Sequence, residues 1–107
     1  MKNTTDLSRN MTEAIILKLL SARAMYGYEI IKIVLEKTDG RFQWKEGTLY
    51  PCLHRLEETK LIESYWELST ENKPRKYYKI TRAGLAACQS GEAEAKEFCR
   101  ALTMLFA

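Results

Sequence analysis

Between Met11 and Ser21 the apolar side chains Met11, Ala14, Ile15, Leu17, Leu19 and Leu20 recur at a spacing nearer to helical period than to alternation, while Glu13 and Lys18 take the other side. The pattern predicts a first helix with Asn10 or Thr12 as N-cap, because either side-chain oxygen can accept from an orphan amide of the first turn. A second helix is predicted from Tyr26 to Thr38, burying Tyr26, Ile30, Ile33 and Val34 and leaving Glu29, Lys32, Glu36 and Lys37 in water. Asp39-Gly40 ends it, with Gly40 free to take the left-handed conformation of a C-cap. The stretch from Met1 to Asn10 precedes the pattern and is expected to be a flexible segment.

After an extended piece from Arg41 to Lys45, a third helix is predicted from Glu46 to Thr59. Leu49, Leu53 and Leu56 form its apolar stripe, and Thr48, Tyr50, His54 and Arg55 lie outside that stripe. Pro51 lacks an amide donor and fits best in a first turn, which makes Thr48 the expected cap and Gly47 a loose entry. Glu63 to Ser69 and Arg75 to Ile80 then read as two strands rich in aromatic and branched residues, joined by the turn-forming run Thr70 to Pro74. Period two separates Arg75, Tyr77 and Lys79 from Lys76, Tyr78 and Ile80, and the second face is expected to point inward at Tyr78 and Ile80. Tyr65 and Trp66 are expected to pack into the core with Tyr78.

Thr81 can cap a last helix from Arg82 to Phe106. Its apolar positions Leu85, Cys88, Ala95, Cys99, Leu102 and Phe106, widened by Phe98 and Leu105, form a stripe with little left in the same chain to cover it. A partner subunit is the expected cover. The fold class is therefore mainly α with a small β-hairpin: three helices and a hairpin forming a winged helix-turn-helix, then a C-terminal dimerisation helix. The corresponding domains are a flexible segment over residues 1–10, a DNA-binding domain over 11–81 and a dimerisation helix over 82–107.

The 107 residues suffice for one core, and the balance of 46% hydrophobic and 29% charged residues is that of an ordinary globular chain. The apolar run Ala14 to Leu17 is broken by Lys18, far short of the roughly twenty residues a bilayer span needs. No secretory signal pattern is present in Met1 to Asn10, so a cytoplasmic protein is expected. Cys52, Cys88 and Cys99 have neither disulfide-framework nor zinc-knuckle spacing and read as small buried hydrophobes, with a cross-axis disulfide through Cys88 or Cys99 the lesser alternative.

The net charge of +3 is mild, but its placement is uneven. Lys73, Arg75, Lys76, Lys79 and Arg82 stand against the single acid Glu71 between residues 71 and 82, leaving the rest of the chain slightly acidic. A basic hairpin beside a helix bearing hydroxyl, imidazole and guanidinium groups points to double-stranded DNA. Arg55 can reach guanine O6 and N7, while Thr48, Tyr50 and His54 can serve phosphates or base edges. Lys73, Arg75 and Lys76 suit phosphate neutralisation, and Tyr77 can donate its hydroxyl to a phosphate. Each of these residues also has a plainer reading as a solvated or strand-edge side chain.

Enzymatic chemistry is not indicated. His54 is the only histidine, no nucleophile has a base at suitable spacing, and the neighbours Glu57 and Glu58 do not share a helix face. No metal ligand set and no cofactor is expected. Met25, Tyr26 and Tyr28 can line a ligand pocket, though filling the core is their plainer use. Two rival functions keep the same scaffold: a winged-helix protein–protein interaction module, and a small-molecule-binding dimer that does not bind DNA.

Several motifs in sequence order are similar to those of the PadR-like transcriptional regulators. They are Met25-Tyr26-Gly27-Tyr28-Glu29-Ile30, Glu46-Gly47-Thr48-Leu49-Tyr50-Pro51 with Leu53-His54-Arg55-Leu56-Glu57, Ile62 through Trp66, and Pro74-Arg75-Lys76-Tyr77-Tyr78 with Ile80, Thr81 and Gly84. The resemblance implies a bacterial or archaeal repressor, a homodimer on an inverted-repeat (palindromic) operator near its own or a neighbouring gene. It also implies a small aromatic effector in some members, with phenolic acids or structurally diverse toxic compounds as the sensed class, and none known in others. The single short C-terminal helix resembles the smaller subfamily, which dimerises through it. Some multidrug-responsive relatives carry a tryptophan there that stacks flat ligands, whereas this chain has Ala95 near that position and Phe98 as the nearest aromatic.

Overall fold

The computed structural model describes residues 4–107, with side chains from Arg9 onward. Four helices and three short strands follow in the order α1 (Thr4–Ala22), β1 (Met25–Tyr26), α2 (Gly27–Lys37), α3 (Glu46–Glu58), β2 (Ile62–Leu68), β3 (Pro74–Ile80) and α4 (Arg82–Phe106). α1 starts two turns earlier than the apolar period suggested. Residues 4–10 are helical rather than loose, Asn10 and Thr12 lie inside the helix, so neither is its N-cap, and Met1 to Asn3 lie outside the described residues.

The core draws on every element. Ile16, Leu17 and Leu20 from α1, Ile30 and Val34 from α2, and Leu49, Leu53 and Leu56 from α3 are buried around Met25, Ile62 and Tyr78 of the sheet, with Cys88 closing the cluster from α4. Ile80 packs against it, so the inward face of β3 is the expected one. Tyr26 is not part of the α2 stripe: with Met25 it forms β1, which pairs antiparallel with β3 at Met25↔Tyr78 and Tyr26↔Tyr77. β3 is thus the middle strand of a β1-β3-β2 sheet. A two-residue strand is too short to show alternation, which is why it was invisible in the pattern.

The C-terminal ends of α2 and α3 are closed by paired backbone bonds of the Schellman type. At α2, Asp39 N–H donates to Glu36 O at 3.2 Å and Gly40 N–H to Leu35 O at 2.8 Å; at α3, Lys60 N–H donates to Glu57 O at 3.0 Å and Leu61 N–H to Leu56 O at 2.9 Å. The left-handed residue next to the cap is therefore Asp39, with φ 52°, and Gly40 follows it with φ 79°. At α3 the same position is Lys60, φ 62°.

α3 begins at Glu46 with Lys45 as its cap residue, so Thr48 is not the cap and Pro51 sits in the second turn. Pro51 cannot donate to the carbonyl of Gly47, four residues earlier, and Gly47 borders open space, with nothing within 4 Å of its Cβ position. Thr81 caps α4 as expected: its Oγ1 accepts from Gly84 N–H at 3.0 Å and donates to Lys60 O at 2.8 Å, tying the helix start to the end of α3.

Beyond Cys88, α4 has no buried residue. Its early turns cross α1, where a Cβ at Gly91 would stand 3.1 Å from that of Ala14, and Lys18 and Lys96 bracket Glu92 at 2.9 Å each. Leu85, Phe98, Cys99, Leu102, Leu105 and Phe106 are exposed and Ala95 half-buried, whereas Cys88 faces the chain's own core and so does not belong to the exposed stripe. Cys52 is buried and Cys99 exposed, so only two of the three thiols fill the role of small core hydrophobes. Among the described residues, no helix is long and apolar enough to cross a membrane.

Candidate nucleic-acid interface

At 3.6 residues per turn, burying Leu49, Cys52, Leu53 and Leu56 turns Gly47, Pro51 and His54 outward along the middle of the exposed face of α3. Thr48 and Arg55 fall on one flank of that face and Tyr50 on the other. The residues expected to act together are thereby divided. His54 is exposed, with Nε2 3.0 Å from Glu58 Oε1 one turn on. Arg55 turns back toward α1, where its Nε lies 3.4 Å from Glu13 Oε2 and its Nη2 3.1 Å from Cys52 Sγ. Burial raises the Cys52 pKa and keeps that sulfur a thiol, despite the guanidinium beside it.

Tyr50 leans the other way, toward the hairpin and the start of α2. Its hydroxyl rests where a Cβ on Gly27 would stand, so the first residue of α2 is a glycine for close approach. Burial, and then the charge of Glu46, raises the Tyr50 pKa, so the phenol keeps its proton and can donate.

The hairpin has two chemically distinct faces. On its outer face Tyr77 sits between Tyr26, at 5.4 Å edge-on, and Tyr65, stacked at 5.7 Å, with the Arg75 guanidinium 4.5 Å above the Tyr26 ring. Tyr65 is therefore part of an aromatic ladder across three strands rather than of the core, and Tyr77 lies on the side away from Lys76. The inner face carries Ile62, Ser64 and Trp66 opposite Ile80, Tyr78 and Lys76. Only its first half reaches the core: Trp66 is 68% exposed, contrary to the expectation of a packed indole.

Lys76 approaches Glu57 of α3 at 3.9 Å, and Ser64 donates a short hydrogen bond to the same carboxylate, so the hairpin is fastened to α3 through the middle of its inner face. Lys73 lies at the turn, 3.8 Å from Glu71. Ser69 shapes that turn by accepting from the amides of Glu71 and Lys73 at 3.2 Å each, and Asn72 takes the left-handed conformation with φ 61°.

Two aromatics next to these groups are exposed where core packing was their plainer expected use, although Tyr28 does line a cleft, as its other reading allowed. Trp66 and Tyr28 line a cleft with Tyr50, Arg75 and Lys76 between α3, the hairpin and the start of α2. The signal for Trp66 was present in the register: it lies on the inward parity, but four residues past Ile62 and close to the turn, where a short hairpin has outrun its core.

The profile of the Transcriptional regulator PadR-like family matches residues 16–90. An uncharacterised protein of Lysinibacillus sphaericus is 40% identical over 82 residues, covering 77% of this chain and 75% of that protein. The structure of a transcriptional regulator from Clostridium thermocellum superimposes with a TM-score of 0.80 at 36% identity, covering 95% of this chain and 98% of the other. A PadR-like transcription factor from Bacteroides fragilis does so with a TM-score of 0.75 at 35% identity, covering 94% and 95%. With a profile match running from α1 into α4 and these relatives matching over most of their length, the chain belongs to the PadR-like family of transcriptional regulators.

Proposed function

We propose that this protein is a cytoplasmic repressor that binds an inverted-repeat operator as a homodimer and is released by a small aromatic effector. Family membership makes it a DNA-binding transcriptional regulator rather than an enzyme. The observation that carries the finer reading is the fastening of the cationic hairpin beside the exposed face of α3 through Lys76 and Glu57. In this reading α3 enters the major groove with Thr48, Tyr50 and His54 presented, and Arg55 reaches bases by exchanging Glu13 for them. Lys73, Arg75 and Lys76 neutralise flanking phosphates. Tyr77, packed between two rings, contributes through the shape of the hairpin.

Support for the dimer comes from α4, whose last turns expose Leu102, Leu105 and Phe106 together. Two such stripes paired about a twofold axis set two α3 helices about one turn of DNA apart, roughly 34 Å. An effector seated between them releases DNA only if it binds a different spacing more tightly. The test is fluorescence anisotropy with the fragment upstream of the protein's own gene, together with sedimentation of the free and bound protein. Two chains per duplex and a steep loss of affinity from about 50 to 200 mM salt are expected. A monomer on DNA, or binding indifferent to salt, contradicts the reading.

A further inference from the structure

The cleft between α3 and the hairpin joins three members of the DNA-reading set, Tyr50, Arg75 and Lys76, to two exposed rings outside that set, Tyr28 and Trp66. Its cavity of about 340 Å³ is lined by Tyr26, Tyr28, Tyr50, Trp66, Arg75 and Lys76, and the nearest acid is Glu57, outside the lining and 3.9 Å from Lys76. Trp66 faces Lys76 across the β2–β3 register, and Tyr50 is pinned over Gly27 on the opposite side. Tyr28 is 66% and Trp66 68% exposed, so two large rings of this cleft stand in water. A small ligand normally buries 70–90% of its surface in its pocket, and a cleft this open does not offer that. A strand that continues past both ends needs no such enclosure.

We propose that this cleft seats the sugar-phosphate strand separating the major groove entered by α3 from the minor groove beside the hairpin. Tyr28, Tyr50 and Trp66 donate their O–H and N–H groups to phosphate oxygens, and Arg75 and Lys76 supply the counter-charge. The proposal rests on the placement of α3 in the major groove put forward above. It adds Tyr28 and Trp66 as positioning residues that hold the register of the protein on the duplex without reading bases.

The test uses the full-length protein and the site footprinted within the fragment upstream of its own gene. Anisotropy is measured for wild type, Tyr28→Phe and Trp66→Ala, on duplexes each carrying one neutral methylphosphonate linkage. Each variant is expected to lose about tenfold in affinity on matched and mismatched duplexes alike, the scale of a hydrogen bond to a charged group. The salt slope stays unchanged, because no cation is removed, whereas Arg75→Gln lowers it by about one.

At one linkage in each half-site, the methylphosphonate should weaken wild type about tenfold and the two variants much less. Unchanged thermal midpoints establish that these exposed substitutions leave the fold intact. Penalties that simply multiply at every linkage, or losses confined to particular base pairs, overturn the seat. So does benzoate displacing duplex from wild type but not from Trp66→Ala, which would make the cleft a small-anion site. A wild type that binds no duplex sinks both this proposal and the reading beneath it; salt-dependent binding without a coupled linkage sinks this one alone.

Discussion

The Arg55 guanidinium on α3 reaches back to the carboxylate of Glu13 on α1, Nε to Oε2 at 3.4 Å. The contact ties the recognition helix to the helix behind it and occupies the cation best suited to read guanine. A half-exposed pair of this kind contributes on the order of 0.5–1 kcal/mol, less than the roughly 1–3 kcal/mol of a bidentate base contact, so DNA can win the exchange.

Glu13→Gln is therefore expected to tighten operator binding by a few-fold, and Arg55→Ala to relax discrimination between matched and mismatched duplexes by about 1–3 kcal/mol. In the Arg55→Ala background the gain from Glu13→Gln should vanish. Anisotropy titrations of the four proteins decide it: equal gains in both backgrounds would mean that Glu13 acts through its own charge and that Arg55 never leaves α1.

Gly84 marks a contact that tolerates no side chain. A Cβ there would run into the backbone carbonyl of Leu61 and stand 2.6 Å from the side chain of Ile80, and a backbone oxygen held by Thr81 N–H at 3.0 Å cannot swing aside. Gly84→Ala should cost at least the roughly 1–3 kcal/mol of an overpacked core, although alanine is the better helix former. Urea denaturation measures it. A neutral or stabilising result would show that the junction between α3, the hairpin and α4 is looser than these distances describe.

What the periodicity revealed, and what it concealed, divides along physical lines. The stripes of α2 and α3, the inward parity of Tyr78 and Ile80, and the Thr81 cap were all legible, because each is a short-range pattern whose burial follows from spacing. The start of α1 was not, since Thr4 to Asn10 carries polar residues and no apolar stripe, and propensity alone does not locate a helix end. Pro51 misdirected the start of α3, because proline's preference for a first turn is outweighed here by the burial of Leu49, Cys52, Leu53 and Leu56, which fixes the helix around it. At the interface the residue types were readable but their directions were not: Arg55 turns toward Glu13 and Trp66 toward water because of side chains on other elements, which no single-segment pattern contains.

Lys60 occupies the left-handed position that ends α3, with φ 62°, where most helices place glycine. A side chain in that conformation costs about 1 kcal/mol relative to glycine. Lys60 is exposed, and the Leu61 N–H to Leu56 O bond that closes the helix belongs to the backbone, so nothing in the cap is lost on substitution. Lys60→Gly should raise stability by up to about 0.5 kcal/mol after the greater chain entropy of glycine is subtracted. The midpoint of thermal unfolding, followed by circular dichroism, should rise by a few degrees, and a fall would indicate that the Lys60 side chain contributes more to the native state than its exposure suggests.

Glu92 joins α4 to α1 through Lys18 on one oxygen and reaches Lys96 through the other. The hydrogen bonds from Lys18 and Lys96, in that order, and then their charges lower its pKa from the ordinary 4.5 to about 2. The same contact with Glu92 raises the Lys18 pKa above its usual 10.5. A carboxylate depressed in the folded state binds fewer protons there than in the unfolded chain, so its contribution is complete above about pH 4.5 and disappears as pH falls toward 2. On the alkaline side the partner's raised pKa keeps the contribution intact up to about 10.5, and it is lost as pH climbs beyond that value.

Glu92→Gln should accordingly be less stable than wild type across the neutral range and converge with it below about pH 2, and 1 M salt should shrink the gap because both groups reach solvent. Unfolding midpoints in urea, measured from pH 2 to 7, follow this directly. A constant difference between the two proteins down to the acid limit would place the effect in packing at the Ala14–Gly91 crossing and not in the ion pair.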